Sequence, residues 1–159
     1  MRISTHSSAV SLIVITLISL APAPLRAADK EAEVRSTIEA FYKAFNDGFT
    51  KPADYAAEDW NHIDPLGGRH RGREAVLKAV REVHQSFLKG ATDTIESMDI
   101  RFATPDVAVG TVVSLGSAVT TPDGVKHGPG RAIRTFVVVR RDGRWLIMQD
   151  HNTFIQDAH

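Results

Sequence analysis

The sequence contains no cysteine among its 159 residues. This absence excludes disulfide bonds, zinc–thiolate sites, iron–sulfur clusters and cysteine nucleophiles. The sequence also has no excess of charge of either sign, because 19 Lys and Arg residues balance 19 Asp and Glu residues. A balanced charge gives no support for general nucleic-acid binding, which usually needs a basic surface. The length suits one domain, and a hydrophobic fraction of 43% predicts that the chain folds around a core.

The start of the chain differs from the rest, since no Asp, Glu, Lys or Arg occurs from Ile3 to Leu25. A basic Arg2, a short apolar core and small residues at the exit are typical of a secretory signal peptide. We expect cleavage after Ala27, so that residues 1–27 form the leader. An uncleaved membrane anchor is the alternative interpretation, because the apolar core is near the lower length limit for spanning a bilayer.

The remaining residues, 28–159, are expected to form one exported domain that is periplasmic or secreted and meets the membrane only during export. Removal of the leader leaves 132 residues, with 17 basic and 19 acidic side chains. In the absence of disulfides, such a domain must be stabilised by its packed core, which this length permits.

Apolar residues at helical spacing predict three helices in the first half of this domain. The first covers residues 29–47, the second is a short helix capped by Thr50, and the third covers residues 73–89. A short strand is predicted between the second and third helices, from Trp60 to Asp64, before a Pro- and Gly-containing turn.

From Thr94 onward the apolar residues recur at every second position, which predicts strands. Turn signals at residues 122–124 and 141–143 separate the strands, and the last strand runs from Trp145 to Phe154. Helices followed by long antiparallel strands indicate an α+β fold with helices on one face of a sheet. We predict a cone-shaped roll of a curved, mainly antiparallel sheet, in which three N-terminal helices enclose a pocket.

Aspartate and histidine are the residue types best suited to chemistry in such a pocket. Asp64 is either a general base at the pocket mouth or a turn residue whose side chain binds the backbone of Gly67 or Gly68. His84 lies on the apolar face of the third helix, and His151 lies on the last strand. Asp64, His84 and His151 are therefore candidate catalytic residues. The alternative is that each histidine is a satisfied, half-buried structural residue.

Strand phase predicts which residues line the pocket, because alternate side chains of a strand share a face. If Trp145 and Ile147 face the core, Gln149 and His151 also point inwards. The face of Arg134 is left open by its pattern. Together with residues from the helices and the short strand, this phase yields a set of predicted ligand-binding side chains, namely Trp60, His62, Phe45, Phe87 and Gln149. A metal site is not expected, because the histidine spacing matches no local ligand motif, and no cofactor is expected.

The opposite face of the last strand is the predicted contact surface for a second copy of the chain. It would combine residues of this strand with two apolar residues of its neighbour, namely Leu146, Met148, Asp150, Asn152, Phe136 and Val138. A partly apolar sheet face of this kind favours a homodimer.

Short motifs along residues 29–155 carry a family resemblance through their order and spacing. They are Tyr42 to Gly48, Asp59-Trp60 with Gly67-Gly68, Arg71 to Val76, and Asp142 to Ile147 running into His151-Asn152-Thr153. In this order they resemble the nuclear transport factor 2-like superfamily, within it the SnoaL-like group, and most closely the SgcJ/EcaC family. The resemblance implies a cone-shaped fold with an internal pocket and frequently a homodimer through the sheet. It does not imply one reaction, because the fold hosts enzymes and non-enzymes.

Asp64-Pro65 also resembles the catalytic Asp-Pro of ketosteroid isomerase, a relative in the same superfamily. The hydrogen-bond donors of that enzyme would fall on Phe41 and near Thr135, and neither replaces the lost donor well. The predicted function is therefore an exported protein that binds a small apolar or carbonyl-containing ligand. The alternative is an isomerase-, dehydratase- or cyclase-like enzyme that uses Asp64 or a pocket histidine as general base. A third interpretation is an association domain.

Overall fold

The computed structural model describes residues 27–156, so the predicted leader lies outside the described residues except for Ala27. Two helices and eight strands occur in this part of the chain: α1 Ala27–Asn46, β1 Ala56–Ile63, β2 Arg69–Arg71, α2 Arg73–Gln85, β3 Asp93–Thr104, β4 Val107–Gly116, β5 Val119–Thr120, β6 Lys126–His127, β7 Gly130–Arg141 and β8 Arg144–Phe154. Neither of the described helices is long and apolar enough to cross a membrane.

Helix α1 forms as its apolar spacing predicts. Val34, Ile38, Phe41 and Tyr42 are buried at intervals that place them on one face of the helix. Gly48 follows in a left-handed conformation, with φ of 66°, which ends the helix in the usual way.

The prediction of a second short helix after Thr50 is wrong. The segment before β1 is a loop, and Ala56 already pairs with Ile147 of β8. The backbone N–H of Ile147 donates to the carbonyl of Tyr55 at 2.8 Å. A helix here would withdraw this carbonyl from the sheet, so strand pairing overrides the local capping signal. Helix α2 also ends four residues earlier than predicted, at Gln85.

Six strands form the curved main sheet in the order β2-β1-β8-β7-β4-β3. All neighbouring pairs are antiparallel except β1 and β8, which are parallel. Strands β5 and β6 form a separate two-stranded hairpin between β4 and β7. Helix α1 contacts β3 and β8, whereas α2 contacts β1 and β2. We call the sheet face beneath the two helices the inner face and the opposite face the outer face.

The core lies between the helices and the inner face and is rich in aromatic rings. Phe41 of α1 packs edge-on against Phe136, with ring centroids 5.2 Å apart, and also against Trp60 at 6.2 Å. Gly110 of β4 allows close approach of α1, because a Cβ at this position would lie 2.5 Å from Cδ1 of Ile38. The α+β fold, with helices on one face of the sheet, is thus confirmed with two helices rather than three.

A β-bulge in β8 changes which of its side chains face inwards. Val137 pairs with Gln149 and Val138 pairs with Ile147, so that Met148 has no partner on β7. An extra residue reverses the alternation of side chains after it. As a result Asp150 is buried and His151 is exposed. The predicted phase that placed Gln149 and His151 inside is wrong for this reason.

The predicted outer surface needs the same correction. Phe136 and Val138 are fully buried on the inner face, and so is Asp150. Arg134 shares their face and is only 4% exposed, which answers the question that its sequence pattern left open. The outer face carries instead the alternate residues of these strands, including Val113, Leu115, Ile133 and Val137.

Candidate functional site

A buried carboxylate, Asp150, is the centre of the candidate site. Its side chain is completely inaccessible to solvent. Trp60 Nε1 donates to Oδ1 at 2.8 Å, and Arg134 donates from a terminal guanidinium nitrogen to Oδ2 at 2.7 Å. His62 Nδ1 lies 2.9 Å from Oδ2 and 3.1 Å from Oδ1. Three side chains from two other strands therefore converge on one carboxylate.

Sheet register explains why these residues meet. Trp60 and His62 are two residues apart on β1, so both side chains lie on the inner face. His62 is in register with Asp150 across the parallel β1–β8 pair. Phe136 is in register with Asp150 on the other side, and Arg134 is two residues from Phe136 on the same face of β7. The bulge is required for this convergence because it turns Asp150 inwards.

The hydrogen bonds of Asp150 keep it ionised in spite of its burial. Burial alone would raise the pKa of this carboxyl, but the hydrogen bond from His62 and the positive charge of Arg134 outweigh burial and lower the pKa below its usual value. An ionised carboxylate only accepts hydrogen bonds, so His62 must donate from Nδ1. The proton-free position of a neutral His62 is then Nε2, the position a general base needs.

Arg134 links the carboxylate to the aromatic core and to a second polar group. Its guanidinium carbon lies 4.7 Å from the ring centroid of Phe41, a cation–π contact that helps a buried cation tolerate desolvation. Beside it, the hydroxyl of Tyr42 lies 3.5 Å from Oγ of Ser114, and burial raises the pKa of Tyr42. Asp93 is also buried there, and burial raises its pKa too.

Asp64 occupies the turn after β1 and uses its carboxylate there. Oδ1 accepts hydrogen bonds from the backbone N–H of Leu66 at 2.8 Å and of Gly68 at 3.0 Å. The side chain of Asp64 lies so close to Gly68 that a Cβ at this glycine would collide with it. This is the turn-capping arrangement that sequence analysis gave as the alternative to a catalytic base.

The other two predicted catalytic residues lie on α2 and β8. His84 of α2 packs edge-on against Phe45 and Phe49, with ring centroids 4.6 and 5.2 Å away, and burial lowers its pKa. It lines an open cleft of ≈570 Å³ between the C-terminal ends of the two helices. His151 is exposed on β8 in register with Thr135 of the outer face. The three predicted catalytic residues therefore lie on different elements: Asp64 is in a turn, His84 is on a helix, and His151 is on the outer face of the sheet, in register with Ile63.

The predicted ligand-binding residues divide in a similar way. Trp60 and His62 belong to the Asp150 cluster, whereas Phe45 and Phe87 are half-buried elsewhere. Gln149 accepts a hydrogen bond from the amide of Asn61 at 3.0 Å. Their roles in binding stay predictions, as does an enclosed internal pocket. Within residues 27–156, the structure contains no group of three or more His, Asp or Glu side chains that could hold a metal ion.

Sequence analysis missed Asp150 and Arg134 as site residues. Arg134 is the one charged residue from Ala132 to Val139, and Asp150 is the one Asp, Glu, Lys or Arg from Trp145 to Phe154; the two charges are opposite. Charged residues are rarely fully buried unless they are paired, so two such residues on neighbouring strands are a usable signal. The signal was lost because the predicted phase placed Asp150 on the wrong face.

Comparison with known proteins gives one matching family model and several solved structures of similar fold. A family model described as a SnoaL-like domain matches residues 31–149. No curated protein sequence matches the chain. An uncharacterised Caulobacter vibrioides protein with a cystatin-like fold is 22% identical, with a TM-score of 0.75 over 80% of this chain and 90% of that one.

Two further solved structures share the fold. A candidate scytalone dehydratase from Novosphingobium aromaticivorans is 16% identical, with a TM-score of 0.65 over 82% of this chain and 88% of that one. The protein LinA is 16% identical, with a TM-score of 0.69 over 80% of this chain and 86% of that one. At these identities the likeness concerns the fold alone.

Replacing Asp150 tests whether its charge holds the cluster together. We expect Asp150→Asn to lower the free energy of unfolding by about 3–5 kcal/mol, because it leaves the charge of Arg134 buried without a counter-ion. The matched control is Asp59→Asn, which breaks an exposed Arg141–Asp59 pair with distances of 2.6 and 2.9 Å. The control should cost less than about 1 kcal/mol. Urea unfolding at pH 7 measures both.

The same pair of variants has a defined pH dependence. A carboxyl with a lowered pKa in the folded state stabilises the fold above its unfolded pKa of about 3.9, and this contribution is lost as the pH falls through the folded-state pKa. The stability difference between the wild-type protein and Asp150→Asn should therefore shrink only in acid. Equal costs for Asp150→Asn and Asp59→Asn at pH 7 would contradict the assignment.

Proposed function

The chain belongs to the SnoaL-like domain family, and from this premise we propose that it binds a small hydrophobic carbonyl compound on which His62 acts as general base. The observation that carries the proposal is the bond between His62 Nδ1 and the buried carboxylate of Asp150. A base oriented by a second side chain is the usual arrangement of an acid–base site.

The proposed reaction consists of one proton transfer from the ligand to His62 and one proton transfer from His62 back to the ligand. Nε2 of His62 removes a proton from the carbon next to the carbonyl group, and the C–H electron pair passes into the resulting enolate. The positive charge on the imidazolium is then balanced by Asp150. Where the enolate is conjugated with a C=C bond, return of the proton to the far carbon of that system moves the double bond, which is isomerisation. Where the adjacent carbon carries a hydroxyl, a C=C bond forms, the C–O bond breaks and the proton leaves with the hydroxyl as water, which is dehydration.

The placement of apolar residues supports a hydrophobic ligand. Phe154 is in register with Ala132 of the inner face, beyond Asp150 on β8, and is 58% exposed. Leu66 in the turn after β1 is 91% exposed at the same end of the sheet. We propose that the ligand lies at this end, over the inner face and next to His62. Large exposed apolar side chains beside a polar group are typical of ligand sites.

Deuterium exchange at an enolisable ketone tests the proposal without knowledge of the natural ligand. We expect the wild-type protein to accelerate exchange at the carbon next to the carbonyl of 1-indanone in D₂O. His62→Gln should lower this rate at least tenfold, because glutamine cannot act as a base. Proton NMR of the ketone measures the exchange.

The control variant is His151→Gln, which removes an exposed histidine of the outer face and should leave the rate unchanged. Loss of exchange in His151→Gln with retention in His62→Gln would refute the assignment of His62. Binding of the ketone without any exchange would favour the second candidate function, a binding protein without chemistry. Exposed Phe154 and Leu66 favour that candidate independently of His62.

We also propose that two copies associate through the outer face. In the described part of the chain, the helices that contact the sheet do so from its inner side. Ile133 is 37% and Leu115 is 40% exposed on the outer face. Ile133→Glu should convert a dimer to a monomer in light scattering, because it buries an unpaired charge. Leu66→Glu is the control, and a monomeric wild-type protein would contradict the proposal.

Export is proposed from the predicted leader of residues 1–27, which the structure does not test. Expression of the full chain in a bacterial host should yield a periplasmic protein that begins at residue 28, because the leader would be removed on export. Intact mass spectrometry of the periplasmic fraction measures this. Retention of residues 1–27 in a membrane fraction would favour the anchor instead. The finer likeness to the SgcJ/EcaC family remains a prediction.

A further inference from the structure

Asn152 stands next to the Asp150 cluster but is not used by it. It follows Asp150 by two residues on β8, so the two side chains share the inner face. Across the β7–β8 pair Asn152 is in register with Arg134, and Asp150 in turn is in register with His62 of β1. Asn152 therefore lies between the strands that supply Arg134 and His62, one step nearer the end of the sheet.

The side-chain oxygen of Asn152 has no hydrogen-bond partner within residues 27–156, although it is buried. Buried side-chain oxygens are nearly always hydrogen-bonded, because an oxygen that loses water on burial and gains no other donor destabilises the fold. Trp60 has a single side-chain N–H, which donates to Asp150, and Arg134 donates to Asp150 through one terminal nitrogen while none of its other N–H groups reaches the oxygen of Asn152. The fold therefore leaves this oxygen without a donor although Arg134 is in register with Asn152, and a hydrogen-bond donor of a ligand would satisfy it.

The surroundings of Asn152 identify the chemistry of that partner. The next inner-face residue on β8 is Phe154, an exposed aromatic side chain. A carboxamide offers an acceptor and a donor side by side, which suits a hydroxyl or N–H group of a ligand. The ligand would thus be apolar where it meets Phe154 and would carry a hydrogen-bond donor where it meets Asn152.

We infer that Asn152 is a ligand-binding residue that selects carbonyl compounds bearing a hydroxyl group close to the carbon from which His62 removes a proton. This inference rests on the proposed function, and it specifies the substrate class as hydroxyketones. A hydroxyl near the enolisable carbon is also the leaving group that dehydration requires. In that reaction His62 takes the proton from the carbon next to the carbonyl, the C–H electron pair forms a C=C bond to the adjacent carbon, the C–O bond of that carbon breaks, and His62 passes the proton to the departing hydroxyl to give water.

Two matched ketones test the inference. We expect the wild-type chain to bind 3-hydroxy-1-indanone about fivefold more tightly than 1-indanone, since one hydrogen bond is worth about 1 kcal/mol. Asn152→Leu, of similar size and without polar atoms, should abolish this preference. The control is Asn61→Leu, which removes an amide that bonds to Gln149 and should keep the preference. Chemical-shift titration of the ¹⁵N-labelled protein measures the dissociation constants.

A measurement of thermal stability without ligand distinguishes a loss of binding from a folding defect. Asn152→Leu should unfold at the same temperature as the wild-type protein or higher, because it removes an unsatisfied buried oxygen. A clear fall in the unfolding temperature would mean that the amide has a structural role and would overturn the inference. So would a hydroxyl preference that survives in Asn152→Leu, no preference in the wild-type protein, or no binding of either ketone.

His62→Gln separates this inference from the proposed function. That variant should lose deuterium exchange and still prefer the hydroxylated ketone, because Asn152 is intact. If the wild-type protein shows the preference but no exchange, the assignment of His62 fails while that of Asn152 stands. If the wild-type protein shows exchange without the preference, the assignment of Asn152 fails while that of His62 stands.

Discussion

The ion pair of Asp150 and Arg134 is the interaction on which the rest of the inner face depends. Both side chains are almost completely removed from solvent, and each charge would be costly to bury alone. Their mutual contact at 2.7 Å, together with donors from Trp60 and His62, satisfies the carboxylate on both oxygens. A buried pair of this kind is weak evidence for extra stability, because desolvation offsets much of the attraction. The pair matters here because it keeps Asp150 ionised, and the ionised carboxylate holds His62 in one tautomer beside the aromatic core.

The bulge at Met148 is the backbone feature that makes this arrangement possible. Without it, the regular alternation of β8 that places Ile147 inside would place Gln149 and His151 inside as well. With it, Asp150 and Asn152 face the core and the end of the sheet, while His151 faces outwards. Bulges are common next to active sites because they redirect single side chains. One unpaired residue thus determines which polar groups the inner face presents.

Much of the fold could be predicted from the sequence because its signals are local. The apolar face of α1 and the alternation in β3 and β4 arise from spacing within one element, and both predictions are confirmed. The short helix after Thr50 was wrong because Tyr55 and Ala56 join a strand that is distant in sequence. Pairing between distant strands is invisible to local propensity.

The site was harder to predict for the same reason. Trp60 and His62 were predicted as ligand-binding residues, and both lie on the inner face because β1 alternates from Trp60 to its end. Asp150 was not recognised, because a bulge is produced by pairing with β7 and leaves no pattern in the sequence of β8 alone. Asp64 shows the opposite case: its local sequence allowed both a base and a turn cap, and the hydrogen bonds to Leu66 and Gly68 show the cap.

The central claim is that an ionised Asp150 holds His62 with a proton on Nδ1 and leaves Nε2 available as a base. Nitrogen-15 NMR of the imidazole ring of His62 at neutral pH tests this most directly, because the two ring nitrogens have distinct shifts in each tautomer. The account predicts a protonated Nδ1 whose signal changes in Asp150→Asn, and an Nε2 that carries the proton only when the ring is charged. A neutral ring with its proton on Nε2 would contradict the account.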